Sequence, residues 1–216
     1  MAEFKLEEEK KERELRLIPQ DDPRVRSSIA PWTDDLLKEH NFKDRKEVSD
    51  LMFKTMLRYG GIGLSANQVG LPFNMFVIGD HMQVEKGLKM TCFNPMIIST
   101  SMETVLMKEG CLTYPFLFLS LARPRKVIVK YTDEKGDLKE GNLDGQISRI
   151  YQHEYDHMIG RNFTELASKM KLDMAKKKAM KSFKVWEART KFGNPNFMRQ
   201  EERAKNKILE DEKVNK

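Results

Sequence analysis

The sequence predicts an α+β fold: antiparallel β-strands around a central α-helix, with a C-terminal helical extension. Three observations carry it. Between Asn74 and Tyr131 short apolar runs alternate with turn residues, which is the pattern of strands. Ile147 to Ile159 reads as a single helix. After Phe163, apolar residues recur at three- and four-residue intervals on a segment otherwise covered in lysine.

The elements follow in order. Residues 1–16 (MAEFKLEEEKKERELR) are nearly all charged or polar and read as a short exposed helix or a frayed arm. Leu17 to Trp32 holds Pro19, Pro23 and Pro31, so it should run extended over the surface. In Lys46 to Tyr59, the spacing of Val48, Leu51, Met52, Met56 and Leu57 predicts an amphipathic helix, ended by Gly60-Gly61. The strand-like runs are NMFVIG, MTCFNPMII, TVLMKEGCL and KVIVKY. DEKGD at Asp133–Asp137 predicts a hairpin turn between VIVKY and LKEGNL. The Ile147–Ile159 helix is entered near Asp144-Gly145 and closed by Gly160. Leu172, Ala175, Ala179, Phe183 and Trp186 then form one helical stripe, which GNPN at Gly193–Asn196 breaks. From Phe197 to the end the chain is again highly charged, helical or disordered.

The 216 residues are 39% hydrophobic and 33% charged, enough for one core of moderate size with an appendage. No run approaches the roughly 18 apolar residues of a membrane span, so no membrane role is expected. MAEFKLEEEK does not read as a signal or transit peptide, and a cytoplasmic location is the expectation. Two cysteines make no disulfide framework, so each needs its own explanation. The net charge of +6 is uneven: residues 167–216 hold 15 Lys and Arg against 7 Asp and Glu, and the remaining 166 residues hold 24 against 26. The basicity belongs to the tail and points to a polyanionic partner there.

The strongest chemical signal is QHEYDH, Gln152 to His157. At about 100° per helical residue, His153 and His157 point within about 40° of each other, so two imidazoles can close on one divalent metal ion. Glu154 points about 60° beyond His157, where a general base for a metal-activated water belongs. Asp156 lies on the opposite flank, placed to orient a ligand imidazole or to tie down a neighbouring loop. Cys111 in EGCLTYP offers a third ligand, and three ligands with one open position is the catalytic pattern. A lone cysteine is also commonly a small buried hydrophobe, the reading given to Cys92. His40 and His81 read as surface residues; together with Cys92 they stay available as a fourth ligand. In GIGLSANQVG, Gly61 and Gly63 permit a tight backbone path, and Gln68 could offer a side-chain N–H to a developing oxyanion. Alone, that stretch is equally a capping glycine and a loop.

Taken together, GIGLSANQ at Gly61–Gln68, EGCLT at Glu109–Thr113 and HEYDH at His153–His157 resemble peptide deformylase, a family marked by GxGLAAxQ, EGCLS and HExDH in that order. IPQDDPRVRSS, NQVG and RPRKVIVKY are also similar to it, and the resemblance spans roughly residues 17–165. It implies a deformylase-like catalytic domain over 17–166, flanked by the charged arm 1–16 and a basic amphipathic extension 167–216. It implies one divalent metal ion on Cys111, His153 and His157, natively Fe²⁺, with Zn²⁺, Ni²⁺ or Co²⁺ able to substitute. The central helix is thereby the metal-binding one. The implied reaction removes the N-formyl group from the N-terminal formyl-methionine of new polypeptides, releasing formate. Glu154 would carry the proton from water to the leaving amine. The Gln68 side chain and the Leu112 backbone N–H would bind the oxyanion. Ile150, one turn before His153, would line the methionine pocket with Ile62, Gly63, Gly110 and Leu112, and Gly160 would leave that helix face open at its C-terminal end. For the basic tail, docking to the ribosome through rRNA is expected, beside the simpler role of a stripe packed on the body.

Departures from the family pattern are Ser65 for an alanine, Thr113 for a serine, and an apolar FLFLSLA where many bacterial members carry an arginine. Arg123 and Arg125 are candidate partners for Glu109. Arg149 is unexpected beside a methionine pocket, and it should turn outward to peptide or solvent. Two other functions compete with this one. A zincin-like peptidase needs a third ligand downstream, and no histidine follows His157. A binding module with a structural metal needs a fourth ligand and has no use for Glu154.

Overall fold

The computed structural model describes residues 13–191. The expectations for the first twelve residues of the arm, for GNPN and for the segment after Phe197 lie outside them.

Residues 13–19 take no regular structure, but they are neither a free helix nor frayed. Leu15 is buried, and the Arg13 guanidinium lies over the Phe42 ring while donating to the His40 and Asn41 carbonyls. The proline-rich stretch that follows runs over the surface as expected, with most of its residues exposed. It forms a 3₁₀ turn at Pro23–Arg26, capped by the Asp22 carboxylate accepting the Arg24 N–H at 3.0 Å. Val25 and Trp32 are buried. These two apolar side chains pin the surface stretch to the body.

A short helix that the sequence did not announce, α1 (Asp35–Glu39), leads to the expected one, α2 (Arg45–Arg58). Asp44 caps α2 by accepting the Glu47 N–H at 2.8 Å. Its apolar side buries Val48, Met52, Phe53 and Met56. The stretch read as a glycine loop is β1 (Gly63–Ser65) followed by a 3₁₀ turn, Ala66–Val69.

The expected strands form as β2 (Met75–Gly79), β3 (Lys89–Thr100), β4 (Thr104–Cys111) and β6 (Lys126–Thr132). Between the last two lies β5 (Tyr114–Pro124), built from the apolar FLFLSLA. The DEKGD hairpin is present and leads into β7 (Leu138–Asp144). Asp133 holds that turn, its carboxylate accepting the Lys135 and Asp137 N–H groups at 2.9 Å each. All pairings are antiparallel: a five-stranded sheet in the order β1-β2-β3-β6-β7, and a separate β4–β5 hairpin.

α3 (Gly145–Met158) packs one side on the five-stranded sheet, where Ile150, Tyr151 and Met158 join Phe76, Ile78 and Val129. Its polar side meets the hairpin. Gly160, at φ +74°, does not leave the helix end open: a Cβ there would lie 2.7 Å from the Arg26 carbonyl, because the N-terminal stretch crosses that point. Ser28 bridges Ile159, and the Ile29 N–H donates to the Met158 carbonyl at 2.9 Å.

α4 (Lys169–Lys191) lies on β5. Leu172, Ala175 and Ala179 pack with Leu117, Leu119, Leu121 and Phe163, and Phe183 and Trp186 meet Phe116. The expected stripe therefore covers the hairpin, while Lys171, Lys176, Lys177, Lys178, Lys181 and Lys184 are exposed. No helix among the described residues is long and apolar enough to cross a membrane.

Candidate metal centre

Three chain segments meet where the polar side of α3 faces the hairpin. β4 ends in Glu109, Gly110 and Cys111, with a break in strand register between Gly110 and Cys111. α3 presents His153, Glu154 and His157. β1 and its 3₁₀ turn present Gly63, Ser65 and Gln68.

Ligand atoms of Cys111, His153 and His157 all lie within 4.8 Å of one another, and the group fits one metal ion. The Cys111 sulfur is 3.4 Å from His157 Nε2. No fourth side chain joins the group among the described residues. Cys92 lies in the core of the five-stranded sheet, the His40 ring meets Phe73 edge-on, and His81 takes the Gln83 N–H in a surface loop. Burial alone would push the Cys111 thiol up, but the neighbouring His157 and His153 hold it well below its ordinary value. The thiolate is the form that ligates a metal.

Glu109 organises the second layer. One of its oxygens is 3.0 Å from His153 Nδ1, which turns the other imidazole nitrogen toward the metal group. Arg123 grips the same carboxylate with Nε at 2.7 Å and Nη2 at 2.9 Å, and reaches Asp156 with Nη1 at 2.7 Å. Of the two roles open to Asp156, the structure shows the tie to a neighbouring strand; the imidazole is oriented by Glu109. Arg125 pairs instead with Asp144 and Glu103. Arg149 does not turn outward. It is 5% exposed and donates to Glu109 and to backbone carbonyls of the hairpin. An interior carboxylate draws it in: a buried Glu109 needs paired donors more than solvent needs one more cation.

Burial would raise the Glu109 pKa, but hydrogen bonds from His153 and Arg123 outweigh it and hold it at about 2, against an ordinary 4.5. Glu109 is thus worth on the order of 3 kcal/mol to the fold above pH about 4.5, and this is lost as pH falls toward 2. Denaturant melts between pH 5 and 3 should show stability falling with pH, and Glu109→Gln should flatten that slope. An unchanged slope would deny Glu109 this role.

Glu154 is buried, and burial raises its pKa. Its Oε2 accepts the Ser65 hydroxyl at 2.6 Å. A Cβ on Gly63 would fall 2.5 Å from Oε1, so only glycine allows the backbone this close to the carboxylate. Gln68 is set by its own turn: its Oε1 accepts the Ser65 N–H at 2.8 Å. Its amide then donates toward the Cys111 sulfur at 3.2 Å and the Thr113 hydroxyl at 3.0 Å.

A cavity of about 910 Å³ opens over this group. Ile62, Gly63, Gln68, Gly110, Cys111, Leu112, Ile150, His153 and Glu154 all border it, and His157 is buried. The Ser65–Glu154 and Gln68–Thr113 contacts and the inward turn of Arg149 are not directly legible in the sequence. The first two were visible only as departures from a motif. The third had a signal in the surplus of charges at 109, 123, 149 and 156.

The family model described as Polypeptide deformylase matches residues 16–173. A peptide deformylase of Thermotoga sp. (strain RQ2) is 35% identical over 160 residues, covering 74% of this chain and 90% of the relative. One from Bartonella tribocorum is 38% identical over 141 residues, 64% of this chain and 79% of that protein. Among solved structures, a peptide deformylase from Legionella pneumophila superposes with a TM-score of 0.66 at 30% identity, covering 82% of this chain and 99% of the other.

Proposed function

The chain belongs to the polypeptide deformylase family and removes the N-formyl group of N-terminal formyl-methionine from newly made polypeptides, and we propose how its own residues do so. One observation carries the assignment of roles: a three-donor group of one thiolate and two imidazoles shares a cavity with a buried glutamate outside that group.

Cys111, His153 and His157 hold the metal ion, with α3 as the central metal-binding helix. A divalent ion there supplies a water whose pKa falls from about 15.7 toward roughly 7. We take the resident ion as Fe²⁺, with Zn²⁺, Ni²⁺ or Co²⁺ able to stand in. Glu154 takes the proton of the water that attacks the formyl carbon and passes it to the leaving amine nitrogen, so formate and a free α-amine result. Burial, by raising the Glu154 pKa, brings it nearer the pH at which it must both accept and release that proton. Ser65 occupies Oε2, which leaves Oε1 for the exchange.

The oxyanion is met by the Gln68 amide and the Leu112 backbone N–H. Gln68 is already held through its Oε1, so it has only to redirect one amide hydrogen from Cys111 or Thr113 to the oxyanion. Gln68→Ala should lower kcat by about 10²–10³-fold with metal content unchanged. A variant with wild-type kcat would remove Gln68 from the mechanism. Ile62, Gly63, Gly110 and Ile150 receive the methionine side chain.

With nascent chains as substrate, we place the reaction in the cytoplasm, and we assign the exposed lysines of α4 to ribosome docking through rRNA. Because the apolar stripe of α4 covers the hairpin, charge substitution tests this better than deletion. Replacing Lys176, Lys177, Lys178 and Lys181 by Glu should abolish salt-sensitive co-sedimentation with ribosomes and leave the fold intact. Unchanged co-sedimentation would end the docking idea.

The deciding assay is formate release from a short formyl-Met peptide, using protein loaded anaerobically with Fe²⁺ and, in parallel, with Co²⁺. No release from either form, with the metal shown to be bound, would refute the mechanism.

A further inference from the structure

Arg149 lies one turn before His153 on α3, and nothing in the proposed chemistry uses it. Yet it is buried, with three hydrogen bonds to three residues. Nη1 donates to Glu109 Oε1 at 2.7 Å and to the Leu121 carbonyl on β5 at 2.9 Å. Nη2 donates to the Val105 carbonyl on β4. Glu109 is thereby held from two directions. Oε1 takes Arg123 Nε and Arg149 Nη1, while Oε2 takes Arg123 Nη2 and faces His153 Nδ1.

We propose that Arg149 is a positioning residue for the metal centre, fixing the Glu109 carboxylate that sets the plane of the His153 ring. The inference rests on the reading of Cys111, His153 and His157 as metal ligands. The physical argument concerns degrees of freedom. Arg123, itself tied to Asp156, grips Glu109 along one edge, which still permits the carboxylate to pivot about that edge. Arg149 adds a contact anchored to the backbone of both hairpin strands and to α3, so the pivot is lost. His153 then presents its Nε2 along one line, as a ligand set of only three side chains requires.

The test is a Co²⁺ titration of the full chain, followed by visible absorption, for wild type, Arg149→Lys and Arg149→Met. Methionine keeps a long stem without donors; its Co²⁺ affinity should fall by about 10–100-fold, with a shifted ligand-field spectrum. Lysine keeps the charge but cannot span Glu109 and both carbonyls, so its affinity should be intermediate. In formate release, kcat should fall in the same order while KM for a formyl-Met peptide stays near wild type. Equal Co²⁺ affinities and identical spectra in all three proteins, even with lowered melting temperatures, would make Arg149 purely structural and overturn the proposal. If Arg149→Met does not fold, Arg149→Lys decides alone: weakened binding supports the proposal, and wild-type binding and spectrum refute it. A wild-type protein that binds Co²⁺ but releases no formate would sink the mechanism and leave the positioning role to be judged on the titration. A wild type that binds no Co²⁺ would overturn both.

Discussion

Glu154→Gln should lower kcat for formate release by about 10²–10⁴-fold while the protein keeps its metal. The substitution is nearly isosteric, which matters at a residue so enclosed. Its carboxylate is pinned between the Ser65 hydroxyl at 2.6 Å and the Gly63 backbone, and a larger change would move both. Glutamine preserves an oxygen for the Ser65 hydroxyl and loses only the capacity to exchange a proton. Since Glu154 is no member of the Cys111–His153–His157 group, metal content should not follow activity down. Measuring formate and bound metal on the same sample checks this. Wild-type turnover in the variant would show that the proton travels another way.

Cys111→Ala should remove both metal and activity. Two imidazoles remain, and they lack the charged donor that completes the set. Loss of metal affinity should exceed about 100-fold, the upper end of what outlying partners of a ligand cost. In Co²⁺-loaded protein the sulfur-to-metal charge-transfer absorption should vanish. The other cysteine cannot replace it, because Cys92 is fully buried in the sheet, away from the group. Metal retained at wild-type content by the alanine variant would take the thiolate out of the ligand set.

These outcomes differ in how much of them was legible in the sequence. The spacing of His153, Glu154 and His157 needs only a helix to become a geometry, and α3 supplies it. Val48, Met52 and Met56 announced α2 for the same reason: a local period sufficed. Cys111 and Gln68 reached the site through motif resemblance, since nothing local tells a strand end or a 3₁₀ turn which helix it will meet. β1 escaped notice because three residues make no period, and only pairing with β2 makes them a strand. Arg149 was misplaced because an arginine on a helix is by default a surface residue, and its burial depends on Glu109, forty positions earlier. The prolines rightly place the stretch from Leu17 to Trp32 on the surface, but they do not tell that Val25 and Trp32 anchor it.

That stretch also sets an order of events. The Ile29 N–H closes on the Met158 carbonyl, the Asn67 side chain donates to both the Val25 and the His157 carbonyls, and Ser28 bridges Ile159. Residues made among the first are thus secured by residues made far later. Contacts of such long sequence separation are slow to form, because the loop entropy must be spent before they reward it. During synthesis Leu15 and Trp32 can pack on elements made before α3, but the contacts around Ile29 stay open until α3 has been made. His153 and His157 lie on that same helix, so the Cys111–His153–His157 group and the contacts of Ile29 with Met158 both await the synthesis of α3.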